Sequence, residues 1–120
     1  MSIAAAQATK FYEQAVAEGR VFTFTENDEY PVFRVDGKEV IPFWSSKSRL
    51  VRIQANHPKY RNYQISEISL EQFLKEDLSL LESEQVSVGV NWSGARLTGH
   101  DISAQDLRAN LAHWQSKGTT

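Results

Sequence analysis

The chain has 120 residues, a formal net charge of −2 and a hydrophobic fraction of 41%, as expected of one globular domain spanning residues 1–120. It contains no cysteine, which excludes a disulfide scaffold, thiolate chemistry and a cysteine-ligated metal site. No apolar run approaches the ~20 residues that span a bilayer, and the first residues lack the pattern of a signal peptide, so we expect a cytoplasmic protein without membrane contact.

The first predicted element is a helix from about Ile3 to Glu18. Its apolar residues recur with the 3.6-residue period that places them on one face. Ser2 is positioned to cap the start of this helix. Gly19 is positioned to end it in the left-handed conformation that glycine adopts without strain.

Three strands are predicted next. Asp36-Gly37 is a strong signal for a two-residue hairpin turn between the second and the third. Pro31 and Pro42 cannot donate to a strand ladder, so we expect each at a strand end, an edge or a bulge. The predicted strands are Val21–Thr25, Pro31–Val35 and Lys38–Trp44.

The second half of the chain alternates helices and strands. Ser69 with Gln72 forms a capping box, and Ser103 begins the last helix within a similar local sequence. The predicted elements are a helix capped by Ser45 or Ser46 and reaching about Asn56, a strand at Asn62–Ile68, a helix from Ser69 to about Ser83, a strand at Gln85–Val90, a turn at Asn91–Gly94, a short extended piece at Leu97-Thr98, and a helix through Trp114.

The predicted order is therefore α-βββ-α-β-α-β-(β)-α. It indicates a single α+β domain with a mixed or mostly antiparallel sheet, and we expect residues from about 116 to 120 to fray.

Catalytic and metal-binding signatures are weak in this sequence. None of the histidines His57, His100 and His113 forms the i, i+4 pair of a zinc site. The glycines form neither a GxGxxG motif nor a Walker loop. We therefore predict no catalytic residue, no metal and no cofactor, and leave open a small hydrolase-like enzyme in which His100 and Asp101 act with Ser93 or a distant carboxylate.

Positive charge is concentrated in one stretch. No carboxylate lies between Val40 and Ser66, and Tyr60 and Tyr63 are interleaved with the bases there. This composition leaves open weak single-stranded nucleic-acid binding through Lys47–Tyr63, although a pI near 5.9 favours a solvated face or an acidic protein partner. The bases are Lys47, Arg49, Arg52, Lys59 and Arg61.

Trp44 and Trp92 both lie at predicted strand ends, and Trp44 comes shortly before the first of these bases. An aromatic residue beside arginines is the usual composition of an interaction hot spot. We therefore predict a non-enzymatic protein–protein interaction module that binds an acidic partner, and we leave homo-oligomerisation open. The candidate binding residues are Trp44, Arg49, Arg52 and Trp92.

The chain also resembles a known family over almost its whole length. The resemblance rests on the N-terminal helix, Val40-Ile41-Pro42-Phe43-Trp44-Ser45 before a basic helix, Ile68-Ser69-Leu70-Glu71-Gln72-Phe73-Leu74, and Val88-Gly89-Val90-Asn91-Trp92 before the last capped helix. These segments are similar to the bacterial domain of unknown function 2750 family, which implies a small soluble bacterial protein without an assigned activity. A looser similarity to the N-terminal domain of SseB-type proteins implies an α+β scaffold used for protein contacts.

Overall fold

The computed structural model describes residues 2–117, and it confirms the α+β class. Residues 116 and 117 continue the last helix, whereas the rest of the predicted frayed tail, 118–120, lies outside the described residues. The helical elements are α1 (Ile3–Glu18), α2 (Lys47–Asn56), a 3₁₀ turn (Pro58–Tyr60), α3 (Leu70–Gln72), a π-helical segment (Phe73–Asp77), α4 (Leu78–Ser83) and α5 (Ala104–Lys117).

The helix ends follow the capping signals of the sequence. Ser2 accepts a hydrogen bond from an N–H of the first turn of α1, and Gly19 ends that helix with φ +71°. Ser69 and Ser103 each accept a bond from the N–H three residues further on, both at 3.1 Å. Ser46 occupies the N-cap position of α2 but its hydroxyl makes no capping bond, so at this corner only the position is as predicted.

The strands form two sheets. One has the order β2-β3-β5-β6, in which β3 and β5 are parallel and the other pairs antiparallel; the second is the antiparallel pair of β1 and β4. The strands are β1 (Arg20–Thr25), β2 (Phe33–Val35), β3 (Lys38–Phe43), β4 (Gln64–Ser69), β5 (Ser87–Ser93) and β6 (Thr98–Ile102).

The two sheets meet at the end of β3, where the chain stops pairing with β2 and contacts β1 instead. Its pairing with β2 ends at Val40. Beyond that point, Trp44 exchanges two 2.8 Å backbone hydrogen bonds with Phe22, which precedes Thr23 in β1. Pro42 lies between these points, and its carbonyl accepts a 2.8 Å bond from the Thr23 hydroxyl. The N–H that proline lacks therefore falls where no neighbouring strand needs it.

The sheet separates two apolar clusters. Alternate residues of β3 point to opposite faces, so Ile41 and Phe43 join the cluster under α1, α4 and α5, whereas Val40 and Trp44 join the one under α2. The second cluster positions the candidate site, because α2 and the end of β5 both pack on it.

The predicted turn at Asn91–Gly94 is wrong. β5 continues through Ser93, and between Val90 and Ser93 it carries one residue more than β6 does, which makes a β-bulge. The turn follows at Gly94. The second strand is also shorter than predicted: it begins at Phe33, which leaves Pro31 outside the ladder.

Candidate functional site

A cleft of about 610 Å³ lies between the N-terminal half of α1, one face of α2 and the turn after β5. Its volume falls within the roughly 300–1,000 Å³ that is common for ligand pockets. None of the described residues that line it carries a carboxylate. We call it the arginine cleft, and it is lined by Gln7, Arg49, Arg52, Ile53, Asn56, His57, Trp92, Ser93, Gly94 and Ala95.

Arg49 and Arg52 lie three residues apart on α2 and so share one face of the helix. Arg49 is half-buried, and its Nη1 donates a 2.7 Å hydrogen bond to Gln7 Oε1; Arg52 is exposed. No ion pair among residues 2–117 includes either arginine. Burial, and then repulsion by Arg52, lowers the pKa of the Arg49 guanidinium. The cleft therefore holds two neighbouring positive charges without a carboxylate to neutralise them.

Trp92 forms part of the apolar floor of the cleft, although only 3% of its surface is exposed. Its indole ring covers Gly89 and Gly99, where an added Cβ would come within 2.4 Å and 2.9 Å of ring atoms. The indole Nε1–H donates a 2.8 Å bond to Asp101, and Phe33 meets the ring edge-on. The ring is thus held in place from several sides.

Trp44 is fully buried, which corrects the hypothesis that places it on a contact surface. It follows β3 on the face that α2 covers, and its Nε1–H donates a 2.8 Å bond to the Trp92 carbonyl. Its ring packs edge-on against Phe24. Trp44 therefore supports the cleft from within the core. The other three predicted binding residues, Arg49, Arg52 and Trp92, line the cleft.

A buried polar network beside the cleft was missed by sequence reasoning. Asn91 has a positive φ of 49°; its Oδ1 accepts from the Ser45 N–H at 2.9 Å, and its Nδ2 donates to the Ser45 hydroxyl and the Gln7 carbonyl. The Ser45 hydroxyl donates to Gln14 at 2.6 Å. The network ties α1, the start of α2 and β5 together, and through Gln7 it reaches Arg49. The available signal was Asn91 itself, because asparagine tolerates left-handed backbone.

His57 closes one end of the cleft. The residue ends α2 before Pro58, as the sequence predicts, and its Nε2 lies 3.1 Å from the Gly94 carbonyl. This contact links the helix end to the turn after β5. The cleft is therefore bounded by two elements that touch at His57.

The chain matches the model of a family described as "Protein of unknown function (DUF2750)" over residues 8–111. The chain belongs to this family. No curated protein matches this DUF2750 chain. The family resemblance derived from the sequence is thereby confirmed, whereas the looser similarity to SseB-type proteins stays a prediction.

Among solved structures, the DUF2750 chain is similar to Tic22 from Plasmodium falciparum, at 21% sequence identity and a TM-score of 0.42. The match covers 71% of this chain and 48% of that one, so the chain spans about half the length of Tic22.

In this DUF2750 protein, His100 and Asp101 of the hydrolase alternative occupy consecutive positions of β6. His100 lies opposite Val90 and Asp101 opposite Gly89, and consecutive residues of a strand point to opposite faces. Asp101 accepts the Trp92 indole bond on the α2 face, while His100 shares the opposite face with its strand partner Val90 and is exposed. The dipeptide therefore does not form a base–acid pair that serves a single site.

The tyrosines of the basic stretch are turned toward the core. Tyr60 is buried and stacks on Phe24 with ring centroids 5.8 Å apart, and Tyr63 meets the same ring edge-on. Binders of single-stranded nucleic acid need exposed aromatic faces on which bases stack. Tyr60 offers no such face, so the geometry does not favour this alternative.

Two other kinds of feature are absent from residues 2–117. No helix there is both long and apolar enough to cross a membrane. No three histidine, cysteine, aspartate or glutamate side chains in that range lie together as a metal site requires.

Proposed function

We propose that this protein is a non-enzymatic interaction module that binds an acidic segment of a protein partner in the arginine cleft. The observation that carries the proposal is the pair Arg49 and Arg52, which lines a cleft without any carboxylate. Arginine is the residue type best suited to charged contacts at an interface, since its planar fork pairs with carboxylates in two parallel hydrogen bonds.

The electrostatics of the free protein support binding of an anion. The lowered pKa of Arg49 means that its charged form is less favourable here than in water, because of burial and of Arg52. A carboxylate beside the two guanidiniums would offset both effects. By linkage, a ligand that favours the charged form is itself bound more tightly by it.

Some lining residues would contribute charged contacts to a partner and others apolar contacts. Arg52 is exposed and would meet the partner first, whereas Arg49 is fixed by Gln7 and would be desolvated on binding. Ile53 and Trp92 supply an apolar floor under the methylene groups of an acidic side chain. Trp44 has no direct contact in this proposal, because it is buried.

The test is quantitative capture of partners from a lysate of the source organism by the tagged protein and by an Arg49→Ala/Arg52→Ala variant. The variant should lose the captured acidic protein. Once identified, that protein should bind the variant at least about tenfold more weakly in calorimetry, since truncating one side of a desolvated charge pair costs about 2 kcal/mol or more.

A Lys47→Ala/Arg61→Ala variant is the matched control. It removes the same two positive charges from the same basic stretch, yet neither residue lines the cleft. Equal loss in both variants would mean that net charge alone governs capture. Unchanged binding by the Arg49/Arg52 variant would refute the proposed function.

A further inference from the structure

We infer that the acidic segment bound by the arginine cleft belongs to a second copy of this chain and is the turn at residues 26–29, which follows β1. We call residues 26–29 the acidic turn. This inference rests on the proposed function and adds the identity of the partner.

The acidic turn concentrates negative charge that its own chain does not neutralise. Glu26, Asp28 and Glu29 are exposed, and no ion pair among residues 2–117 includes any of them. The sequence has no lysine, arginine or histidine between Arg20 and Arg34. The acidic turn is thus the counterpart of the stretch from Val40 to Ser66, which contains bases but no carboxylate.

The backbone of the acidic turn is fixed before any partner binds. Glu26 and Glu29 exchange two backbone hydrogen bonds, of 2.9 Å and 3.0 Å. Asn27 and Asp28 between them both have positive φ, at 54° and 64°, as in the type I′ turns of tight hairpins. Tyr30, which follows, packs against the first apolar cluster. An ordered turn loses little conformational entropy on binding, so its charges are presented to a partner at low cost.

The spacing of the two glutamates matches that of the two arginines. Glu26 and Glu29 are cross-strand partners, so their side chains leave the hairpin on one side with Cβ atoms roughly 4.5–5.5 Å apart. Arg49 and Arg52 lie three residues apart on α2, which places their Cβ atoms roughly 5–6 Å apart. Each carboxylate can therefore face one guanidinium. The contact would also relieve the repulsion between like charges on each side.

The cleft can admit the tip of the acidic turn. The two tip residues, Asn27 and Asp28, have short polar side chains, and the cleft has a volume of about 610 Å³. Its lining adds hydrogen-bond donors for the Asp28 carboxylate on Gln7, Asn56 and Ser93. Residues 26–29 do not line the cleft of their own chain, so the contact requires a second copy.

The test is sedimentation equilibrium of the untagged protein at low ionic strength and near neutral pH, at concentrations up to about 1 mM. A turn variant, Glu26→Arg/Glu29→Arg, makes the acidic turn positive. A cleft variant, Arg49→Glu/Arg52→Glu, makes the arginine cleft negative. An exchanged variant combines all four substitutions and so keeps the wild-type net charge of −2. Circular dichroism and thermal melts establish that each variant is folded.

A control variant, Glu76→Arg/Glu84→Arg, reverses two exposed carboxylates that lie outside the acidic turn and form no ion pair within residues 2–117. We expect the wild type and the control variant to self-associate with a dissociation constant below about 1 mM. The turn variant and the cleft variant should each raise this constant at least about tenfold, because like charges would then face each other. The exchanged variant should associate again, because its charges are complementary in the opposite sense.

Four results would each overturn the inference: a wild type that stays monomeric up to about 1 mM, a turn or cleft variant that associates as tightly as wild type, a control variant weakened as much as the turn variant, or a folded exchanged variant that stays monomeric. If any of these occurs while Arg49→Ala/Arg52→Ala still loses its captured partner, that partner is a different acidic protein and the proposed function stands. If Arg49→Ala/Arg52→Ala keeps its captured partner, the proposed function fails.

Discussion

Replacing Gly89 by alanine tests whether the indole of Trp92 sets the floor of the arginine cleft. Gly89 is not at a positive φ, so the glycine is not required by backbone conformation. What excludes a side chain is the ring: the new Cβ would lie 2.4 Å from both Cε2 and Nε1 of Trp92 and 2.7 Å from Cζ2. The cost of the substitution therefore originates in this steric conflict.

The size of the effect follows from how far the ring must move. Ordinary contact begins at 3.4 Å, so the ring has to retreat by 3.4 − 2.4 = 1.0 Å. That movement loosens the 2.8 Å bond from the indole to Asp101. Overpacking costs about 1–3 kcal/mol, and a weakened hydrogen bond to a charged group adds about 1 kcal/mol. We expect Gly89→Ala to cost about 2–4 kcal/mol of unfolding free energy.

The assay is urea unfolding at 25 °C followed by circular dichroism, with thermal melts in parallel. For a domain of this size the expected loss corresponds to a fall in Tm of roughly 8–16 °C. A Trp92→Phe background provides the control, because phenylalanine lacks the indole atoms that clash. In that background Gly89→Ala should cost at least about 1 kcal/mol less, and the double-mutant cycle measures the difference.

The same cycle contains the result that would refute this reasoning. If Gly89→Ala costs the same in both backgrounds, the ring is not what keeps a side chain out. A loss below about 0.5 kcal/mol in the wild-type background would also contradict it, because such a loss is typical of a surface substitution without a steric conflict.

Two further predictions concern the π-helical segment. In this segment the Leu78 N–H donates to the Phe73 carbonyl, and Arg108 donates to the Leu74 carbonyl that the wider turn leaves free. Arg108→Ala should therefore lower the free energy of unfolding in urea by about 2 kcal/mol. Lys75→Ala breaks only an exposed ion pair with Glu71, so it should cost much less than Arg108→Ala. An equal cost for both would contradict the role given to Arg108. Within residues 2–117, one buried carboxylate oxygen of Asp77 has no hydrogen-bond partner, and burial raises the pKa of this group above 3.8. The unfolded chain therefore loses the proton at a lower pH than the folded chain, and stability falls as pH rises from 3.8 through the folded pKa. Asp77→Asn should therefore raise Tm relative to wild type at pH 7 but not at pH 3, and a gain that is equal at both pH values would rule out the titration of Asp77 as its cause.

The parts of the fold that the sequence predicts well are specified by local interactions. Ser2 and Gly19 bound α1 because a cap and a left-handed glycine act within one turn of the helix. Ser69 and Ser103 mark two strand-to-helix corners for the same reason. The pair Arg49 and Arg52 could also be predicted to share a surface, since helical spacing alone places residues three apart on one face.

The parts that sequence reasoning got wrong depend on distant residues. Asn91 and Trp92 have the composition of a turn, yet the strand continues through them because Asn91 bonds to Ser45, 46 positions away, and the Trp92 ring lies on the glycines of β5 and β6. Trp44 lies next to a basic helix in the sequence, but the face of β3 that it occupies is decided by α2 folding over it. No periodicity in one segment reports such contacts.

The bulge in β5 determines which face of the sheet each of the following side chains occupies. Because one extra residue lies between Val90 and Ser93, Val90 points to the α1 face while Trp92 points to the α2 face, although the two are an even number of residues apart. Deleting or inserting one residue here would reverse the facing of everything on one side of the change. We therefore expect a one-residue insertion or deletion between Val90 and Ser93 to disrupt the packing on both faces of β5.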